Sequence, residues 1–389
     1  MPPKKKEEGP PKRAILGRPG NTLKMGLVGL PSVGKSATFN LLTNLNVPTG
    51  NTFGSVNPNV AQVAIPDPRF DKLTAIFKPK KSTPATLIIT DIAGLVPGSS
   101  EGKGLGNAFL SHIQGVDGVY NVVRLFEDTT VALTEGEINP VVDMQTVHDE
   151  LIAKDLQGVL TKIDELERQI KKVADQSKVD ELAVLIKVRD LLQKNTSVKD
   201  ADWKVDEVEI LNKYAFLSAK PMVYLLNMST EDYKKKTNKH LKKIVEWVKT
   251  HGESPLIPYS AAFEAELQQA ENKEEFCKVQ GAPSAVNKMI RIGYKELHLV
   301  HFFTVGTDEV KSWTVRENTT AKRAVSVIHT DMEKGFVCAN VTKCADLIAA
   351  GSEQEAKIQG FEKQQGKEYV VEDGDCIEFK VNVSKKKKK

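Results

Sequence analysis

The sequence predicts an α/β protein in which a parallel sheet flanked by helices carries an inserted helical hairpin and precedes a small α+β domain. Three features of the 389-residue chain support this class. Short apolar runs alternate with helical patterns in residues 21–142, a long proline-free helical pattern follows Pro140, and short strands rich in Val, Phe, Trp and Thr dominate after residue 301. A chain of this length accommodates two or three domains.

The first domain is predicted from its strands. Residues 23–30 (LKMGLVGL) form an apolar run that ends in a glycine-rich turn, and residues 35–45 continue as a helix. Residues 86–95 and 118–126 are further buried strands, and the pattern resumes at residues 215–227. Strands that alternate with helices indicate a parallel sheet. We assign residues 21–142 and 215–300 to this domain.

The interruption, residues 143–214, is predicted to be a helical hairpin. Apolar residues recur at helical spacing in two runs, separated by a polar link at residues 172–180. This pattern indicates an antiparallel, coiled-coil-like pair of helices. The apolar stripe comprises Leu151, Leu156, Leu160, Ile163, Leu166, Ile170 and Val173 in the first run, and Leu182, Leu185, Val188 and Leu192 in the second.

The rest of the chain divides into a C-terminal domain and two tails. Residues 301–384 suit an α+β domain of about 80 residues. Its predicted strands are residues 301–305, 311–315, 369–371 and 376–383, around a more helical stretch at residues 321–336. Residues 1–20 and the five lysines at 385–389 are predicted to be disordered basic tails, because they offer few apolar groups to offset ordering entropy.

Composition excludes several classes of protein. The four cysteines show neither C-x-x-C spacing nor histidines at metal-ligand intervals, which indicates reduced thiols. No apolar run approaches the ~20 residues that span a bilayer, and no apolar stretch follows the N-terminal basic residues as in a secretory signal. We therefore expect a cytoplasmic protein, with the nucleus as an alternative compartment, and no membrane partner.

The segment GLPSVGKS, residues 29–36, matches the phosphate-binding pattern G-x-x-x-x-G-K-[ST] and lies between a strand and a helix. In this motif backbone N–H groups cradle phosphates, the lysine reaches the β- and γ-oxygens, and the hydroxyl ligates Mg²⁺. Lys35 and Ser36 are the candidates for these two roles. A chance glycine-rich turn is the alternative, and the flanking strand and helix weigh against it.

The segment DIAG, residues 91–94, ends the next apolar strand. Asp91 is the candidate to hold Mg²⁺ through water, and the Gly94 N–H is the candidate to face the γ-phosphate. Leu95 stands where Ras-like GTPases have a Gln that orients the attacking water. Because an apolar side chain cannot orient water, hydrolysis is expected to be slow or to rely on another group.

Two switch segments are expected around this motif. Residues 52–59 (TFGSVNPN) are the candidate first switch, in which Ser55 is either a further hydroxyl for Mg²⁺ or an ordinary loop serine. The glycine-rich residues 98–113 (GSSEGKGLGNAFLSHI) are the candidate second switch.

The guanine-reading motif N-K-x-D is incomplete, because Met228 and Thr230 replace its Lys and Asp after Asn227. The aspartate accepts two hydrogen bonds from guanine, which one threonine hydroxyl cannot reproduce. Asn227 can still contact the N7/6-amino edge of adenine, and Met228 offers an adaptable apolar surface. The residues favour ATP over GTP, or weak discrimination. A shifted loop that brings Glu231 or Asp232 into the acceptor position is the alternative.

Two further segments bear on the base pocket. TKID, residues 161–164, resembles the same motif but lies inside the long helical pattern, so we interpret it as helix surface. The segment SAA, residues 260–262, follows a β-like run in the expected chain order. Ser260 and Ala261 are therefore predicted to close over the base through their backbone.

With these motifs in order, residues 20–384 resemble the Obg-like ATPases of the YchF family, which are Obg-related P-loop nucleotide hydrolases of the TRAFAC class. The resemblance is carried by GLPSVGKS, by NPNVAQVAIPDPRFDKL, by DIAGLVPGSSEGKGLGNAFLSHI and by the NMST divergence. It implies a GTPase-type domain that prefers ATP, an inserted coiled-coil hairpin, a C-terminal TGS domain, ribosome association and a role in translation and stress responses.

The resemblance also assigns residues by motif. Catalysis falls to Lys35, Gly94 and Leu95, the last as the hydrophobic replacement of the catalytic Gln. Phosphate binding falls to Ser32, Val33, Gly34, Lys35, Ser36 and Ala37, Mg²⁺ to Ser36 and Ser55, and base contact to Asn227 and Met228.

Four positions depart from the family pattern. Ser32 replaces an Asn that in related GTPases helps to hold a monovalent cation, Ser55 replaces Thr, and Thr230 replaces Glu. Leu133 replaces a His thought to assist hydrolysis in relatives, and an apolar side chain can neither position water nor transfer a proton. Slow intrinsic turnover is therefore expected. His112 is a possible substitute, although packing is its simpler explanation.

The residues predict a slow switch that binds ATP and Mg²⁺, and the family resemblance implies that it docks on ribosomes, especially on the large subunit and its rRNA. The basic tails are expected to add salt-sensitive affinity, and the hairpin and C-terminal domain to offer surfaces for protein partners. One alternative is a GTPase of the Obg class that acts in ribosome assembly. Another is a nucleotide-gated adaptor with negligible turnover.

Overall fold

The strands of the protein form two six-stranded sheets within the part of the chain that the computed structural model describes, residues 15–47, 58–95, 106–128, 137–173 and 175–382. No helix in these ranges has the length and apolar character needed to cross a membrane. The strands are β1 (Lys24–Val28), β2 (Asn59–Ala64), β3 (Lys81–Thr83), β4 (Thr86–Asp91), β5 (Gly118–Arg124), β6 (Met222–Asn227), β7 (Leu256–Tyr259), β8 (Leu299–Thr304), β9 (Glu309–Arg316), β10 (Phe336–Lys343), β11 (Lys363–Gln365) and β12 (Asp375–Val381).

The helices connect and cover these strands, and short 3₁₀ turns supplement them at Val198–Asp200 and Val325–Val327. The helices are α1 (Lys35–Thr43), α2 (Pro68–Phe77), α3 (Gly106–Gln114), α4 (Pro140–Lys172), α5 (Gln176–Gln193), α6 (Val205–Leu211), α7 (Thr230–Lys235), α8 (Leu241–Thr250), α9 (Ala261–Gln269), α10 (Lys273–Gln280), α11 (Val286–Glu296), α12 (Ala321–Ala324), α13 (Thr330–Lys334), α14 (Cys344–Ala350) and α15 (Glu353–Ile358).

The first sheet has the order β2-β4-β1-β5-β6-β7. Strands β4, β1, β5, β6 and β7 are mutually parallel, whereas β2 pairs antiparallel with β4. The predicted parallel sheet is confirmed for five strands, and β2 adds one antiparallel strand at its edge. The central strands β5 and β6 are buried at every residue, whereas β2 alternates half-buried and exposed residues. Only the central strands carry the continuous apolar signal of a parallel sheet covered on both faces.

Helices cover both faces of this sheet. On one face, α1 and α11 pack against Leu27, Tyr120 and Leu225. On the other face, α3, α8 and the first turns of α4 pack against Val123 and Leu226. This layering leaves the carboxyl ends of five parallel strands side by side, the edge at which open α/β sheets bind ligands.

The first helix of the hairpin is continuous with the core of the first domain. Helix α4 starts at Pro140, after Asn139 as its N-cap, and its residues Met144 and Leu151 belong to the core of the first domain. The predicted apolar stripe differs from the structure, because Leu160 is 44% exposed and Val173 is 64% exposed. The interface of α4 with α5 is instead built from Val159, Ile163, Leu166, Val184, Leu185, Val188 and Leu192.

A buried carboxylate fixes the base of the hairpin. Asp155 of α4 accepts hydrogen bonds from the backbone N–H groups of Leu217 (2.9 Å) and Ser218 (2.7 Å), and from the Ser218 hydroxyl (2.6 Å). Burial raises the pKa of Asp155, and these three donors oppose that shift. Since residues 217 and 218 precede β6, the hairpin is tied to the strand that ends in Asn227.

The second sheet has the order β11-β10-β12-β8-β9-β3 and is the core of the C-terminal domain. Its last strand comes from the first domain, because β3 pairs in parallel with β9. The strand predicted at residues 369–371 is wrong, since Val370 forms only an isolated bridge with Thr320. Strand β10 was not predicted.

Segment α2–β3 of the first domain anchors the C-terminal domain. Arg69 forms ion pairs with Asp67 and Asp373 (2.8 Å each), and the Nε2 atom of His301 lies 2.7 Å from the Asp67 carboxylate. Burial raises the pKa of Asp67, but the hydrogen bonds from His301 and Arg69 outweigh burial and hold the pKa well below 3.8. Phe70 packs on Phe303 in the apolar cluster beneath these ion pairs, with ring centroids 6.2 Å apart.

Residues 15–20, which the sequence assigned to a disordered tail, make specific contacts. The Gly17 N–H donates to the Asn212 side chain (2.7 Å), and Arg18 forms an ion pair with Asp117 (3.0 Å). Arg316 of the C-terminal domain donates to the Leu16 carbonyl (2.8 Å). This strip therefore links all three parts of the chain.

Candidate functional site

The phosphate-binding loop connects β1 to α1. Ser32 and Gly34 both adopt left-handed backbone conformations, with φ values of 64° and 91°. Glycine is required at position 34, because an added Cβ would lie 2.5 Å from the Nδ2 atom of Asn227. Thr38 donates from its hydroxyl to the Gly34 carbonyl (2.8 Å) and thereby holds the loop against the first turn of α1.

Lys35 and Ser36 converge on Asp91 at the end of β4. The Lys35 ammonium forms an ion pair with Asp91, and the Ser36 hydroxyl lies 3.4 Å from the other carboxylate oxygen. Within the described residues, no cluster of three or more His, Cys, Asp and Glu side chains could hold a metal alone. A hydroxyl and a carboxylate are hard oxygen donors, which fit a Mg²⁺ ion that keeps several waters and phosphate oxygens.

Asn227 joins three parts of the site. Its Nδ2 atom donates to the Val33 carbonyl (3.0 Å), and its Oδ1 atom accepts from the Ala261 N–H (3.0 Å). A primary amide carries two N–H donors and two acceptor lone pairs, so one of each remains for a ligand. Asn227 therefore fixes the spacing between the phosphate loop and the predicted base loop.

Ser260 and Ala261 lie at the junction between β7 and α9, as the sequence predicts, and both make contacts within the protein. The Ser260 hydroxyl is fully buried and accepts from the Phe263 N–H (3.3 Å), so it caps α9. The Ala261 N–H is engaged by Asn227. A backbone contact to a base through these two residues stays a prediction.

Met228 and Thr230 differ in exposure. Met228 is 2% exposed and packs in the core beside Leu226, so its side chain offers no surface to a base. The expectation of an adaptable apolar surface at Met228 is therefore wrong for the side chain in this structure. The Thr230 hydroxyl is half-buried and lies 3.5 Å from the Ser260 hydroxyl. The base loop thus presents the Thr230 hydroxyl where GTPases present a carboxylate.

The carboxylates next to Thr230 are engaged elsewhere. Asp232 accepts from the Asn238 side chain (2.8 Å), and Glu231 lies 3.5 Å from Lys235 on the same helix. Ser229 caps this helix by accepting from the Asp232 N–H (3.1 Å). These bonds fix the helical register, which argues against a shifted loop that substitutes Glu231 or Asp232 for the missing aspartate.

Neither Leu95 nor His112 is placed to orient the attacking water molecule. Leu95 is fully buried among Val28, Ile92 and Phe109, and its N–H donates to the Gly29 carbonyl (3.1 Å). Gly94 is half-buried beside the same loop. His112 lies in the last turn of α3, which leads to the amino end of β5. Since the phosphate loop lies at the carboxyl edge, His112 is not a substitute for the missing catalytic side chain.

The remaining predicted residues are placed as follows. Thr161–Asp164 lie within α4, where Ile163 is buried, so this segment is not a base-reading motif. Ala37 lies in the first turn of α1. Ser55, Leu133 and residues 98–105 of the candidate second switch lie outside the described residues.

Two residues of the site were not predicted from the sequence. Arg124 ends β5 directly beside Asn227, is 4% exposed, and donates to the Asp128 carbonyl (3.2 Å), while its guanidinium lies 4.6 Å from the Phe126 ring centroid. Burial lowers the pKa of Arg124. Phe126 is the half-buried aromatic residue that follows at the same edge. The only available signal was their position at the carboxyl end of a predicted strand.

A phosphate loop between strand and helix, a lysine and a hydroxyl beside a strand-end aspartate, and an asparagine that bridges to the next loop define a P-loop nucleotide-binding protein of the GTPase type. A family model described as "50S ribosome-binding GTPase" matches residues 24–162. A second model, YchF-GTPase_C, described as a protein of unknown function, matches residues 299–382.

Full-length relatives identify the family. The chain is 47% identical to "Obg-like ATPase 1" of Oryza sativa subsp. japonica over 389 residues, covering 99% of both chains. It is 44% identical to "Obg-like ATPase 1" of Homo sapiens over 395 residues, covering 100% of both. The solved "Structure of the Schizosaccharomyces pombe YchF GTPase" matches with a TM-score of 0.85 at 41% identity, covering 95% of this chain and 100% of that one. The chain belongs to the Obg-like ATPase (YchF) family of P-loop nucleotide hydrolases.

Proposed function

We propose that this protein is a slow, ATP-preferring switch that binds its nucleotide with Mg²⁺ and associates with ribosomes. The observation that carries the ATP preference is the replacement of the guanine-reading carboxylate by the Thr230 hydroxyl, 3.5 Å from that of Ser260. Hydroxyl groups can donate or accept, so they tolerate the adenine edge. A buried carboxylate would instead be left unpaired by adenine, at a cost of about 1–3 kcal/mol or more.

The residues for phosphate and metal binding follow from the loop geometry. On nucleotide binding, Lys35 would release Asp91 and pair with the phosphates instead. Ser36 and Asp91 would hold Mg²⁺, which neutralises phosphate charge when bound. Asn227 would keep the loop and the base pocket in register. Ser55 remains a candidate second hydroxyl for the metal.

Slow turnover is supported by Leu95. Its side chain is fully buried in the core, so the position that carries a water-orienting Gln in Ras-like GTPases contributes no polar atom here. Transition-state stabilisation would fall to the phosphate loop and its lysine, with a bound Mg²⁺ supplying further positive charge. Measuring single-turnover phosphate release with and without saturating ribosomes separates this switch from an adaptor with negligible turnover, which would stay inactive in both.

Nucleotide preference is tested by titrating fluorescent ATP and GTP against the parent protein and the Thr230→Asp variant. The parent should bind ATP more tightly. Thr230→Asp should shift the ATP-to-GTP affinity ratio toward GTP by roughly 10- to 100-fold, because hydrogen bonds to a charged acceptor contribute about 1.5–3 kcal/mol. Thr230→Ser keeps a hydroxyl and is the matched control. A parent protein with a clear GTP preference contradicts the proposal.

Ribosome association is supported by the basic tails and by the description of the family model that matches residues 24–162. Co-sedimentation with purified large subunits over a salt series tests it directly. Affinity that falls with salt fits contact with rRNA phosphates, because such contacts release counterions. Absence of co-sedimentation in every nucleotide state, at low salt, counts against the ribosome as partner.

A further inference from the structure

The strongest charge concentration in the described residues lies on α7 and α8. Residues 234–249 hold seven lysines and one acidic residue, so this segment alone has a net charge of +6, against +4 for the whole chain. We call the seven the lysine face: Lys234, Lys235, Lys236, Lys239, Lys242, Lys243 and Lys249. All are exposed except Lys234, which is half-buried.

Most of this charge is not neutralised by the protein. Lys235 pairs with Glu231 at 3.5 Å and Lys239 pairs with Glu127, both at the exposed surface. Within the described part of the chain, the other five lysines form no ion pair. Close spacing of like charges is unfavourable, and Lys239 and Lys243 contribute, after burial, to lowering the pKa of His240 between them.

Helix stability does not explain Lys242 and Lys243, whereas Lys234, Lys235 and Lys249 lie in the last turns of α7 and α8, where cations are favourable. Lys242 and Lys243 lie in the first turn of α8, which holds no acidic residue. Cations near a helix N-terminus oppose the helix dipole at a cost of about 0.3–1 kcal/mol each. The helix is held instead by its opposite side, where Ile244, Trp247 and Val248 are buried in the core of the first domain.

We propose that the lysine face binds the phosphate backbone of double-stranded RNA. The choice of RNA as the bound anion rests on the proposed ribosome association. The face offers phosphate contacts without base stacking, because Trp247 is buried and Tyr233 packs on Phe263 while its hydroxyl donates to the Pro283 carbonyl (2.7 Å). Double-stranded RNA is recognised mainly through its shape and its backbone.

The packing of α8 also argues against a peptide-like use of the same lysines. A segment that serves as a nuclear-import signal must be read as an accessible basic peptide. Here Lys242, Lys243 and Lys249 lie on α8, whose apolar side is buried. In the turn between α7 and α8, Asn238 donates to the Leu125 carbonyl (3.2 Å) and to Asp232 (2.8 Å). Extending the chain would break this packing.

The location links RNA to the nucleotide site. Helix α7 begins at Thr230, and Lys239 pairs with Glu127, the residue after Phe126. RNA held on the lysine face would therefore lie beside the predicted base pocket. The variant tested below leaves Lys239 and its ion pair with Glu127 in place, so removing the other lysine charge should leave ATP affinity unchanged.

The test uses the full-length chain and a labelled RNA duplex of about 20 base pairs. The variant carries Lys236, Lys242, Lys243 and Lys249 changed to Gln. Fluorescence anisotropy across a salt series should show that the variant binds at least tenfold more weakly than the parent near 100 mM salt. The slope of log K against log salt should be smaller in magnitude by roughly 2 to 4, because each phosphate contact contributes about 0.9 to it.

The matched control changes four exposed hairpin or neighbouring lysines to Gln, with the same loss of charge: Lys171, Lys172, Lys194 and Lys213. The control should bind the duplex like the parent, and all three proteins should bind fluorescent ATP equally. Equal weakening of the variant and the control would reduce the effect to net charge and overturn the proposal. Parent binding to vesicles rich in phosphatidylserine, without duplex binding, would also overturn it.

Co-sedimentation with large ribosomal subunits separates this inference from the proposed function. If the parent co-sediments and the lysine variant co-sediments equally well, the lysine face is not the RNA-binding surface, while ribosome association stands. If the parent binds the duplex through the lysine face but does not co-sediment, the RNA site stands and the ribosome is not its partner.

Discussion

Lys220 gives the stability of the fold a defined pH dependence. This half-buried ammonium donates to the carbonyls of Gln114 (3.3 Å) and Val116, at the end of α3. Burial lowers the pKa of Lys220 to about 8, from 10.5. Between these two values the unfolded chain binds more protons than the folded protein, so the free energy of unfolding must rise with pH.

The size of this effect follows from the two pKa values. Raising the pH from about 7.5 to 9.5 should add about 2 kcal/mol to the free energy of unfolding through Lys220 alone. Urea unfolding measured across this range gives the slope for the parent and for Lys220→Met, which removes the titrating group but keeps an unbranched side chain. The buried tyrosines, which oppose the trend at higher pH, contribute equally to both proteins.

The free energy of unfolding of Lys220→Met should therefore lack this rise with pH. It should fall relative to that of the parent as pH increases. Lys213→Met, at an exposed lysine nearby, is the control and should follow the parent. Parallel curves for the parent and Lys220→Met would refute the reasoning, because they would mean that the ammonium is as well solvated in the folded protein as in the unfolded chain.

Two further predictions concern other buried contacts. Asp67→Asn should lower the free energy of unfolding at pH 7 by about 2–3 kcal/mol, since it removes the charged acceptor for Arg69 and His301. Because the pKa of Asp67 is depressed, the stability it contributes is lost as pH falls below about 4, so urea curves of parent and variant should converge there. Gly293→Ala should destabilise by about 1–3 kcal/mol, because its Cβ would lie 1.8 Å from the Tyr120 hydroxyl. A thermal melt matching the parent would contradict this clash.

The parts of the fold that the sequence predicted are those encoded by local signals. Fully buried strands such as β5 and β6 read as continuous apolar runs, and the phosphate loop has a fixed spacing of glycine, lysine and serine. The hairpin was found from its period, although exposed Leu160 shows that period alone does not tell which turn faces the partner helix.

The parts that were not predicted depend on distant contacts. Strand β3 is three residues long and pairs with a strand more than 200 positions later, so no local pattern reveals it. Met228 was expected to face a ligand, but the side chain at that point of the loop turns into the core. Arg124 ends a strand and Phe126 follows it, without any motif, and only the sheet order brings Arg124 beside Asn227.

The C-terminal domain is completed by a segment of the nucleotide-binding domain. Phe70 and Leu73 lie inside its apolar cluster, and residues 81–83 supply its outermost strand. Cutting the chain before Leu299 would bare these two side chains to water and leave three backbone positions without a neighbour. A truncated nucleotide-binding domain should consequently aggregate. Replacing the C-terminal domain by that of a relative would require exchanging residues 68–83 as well.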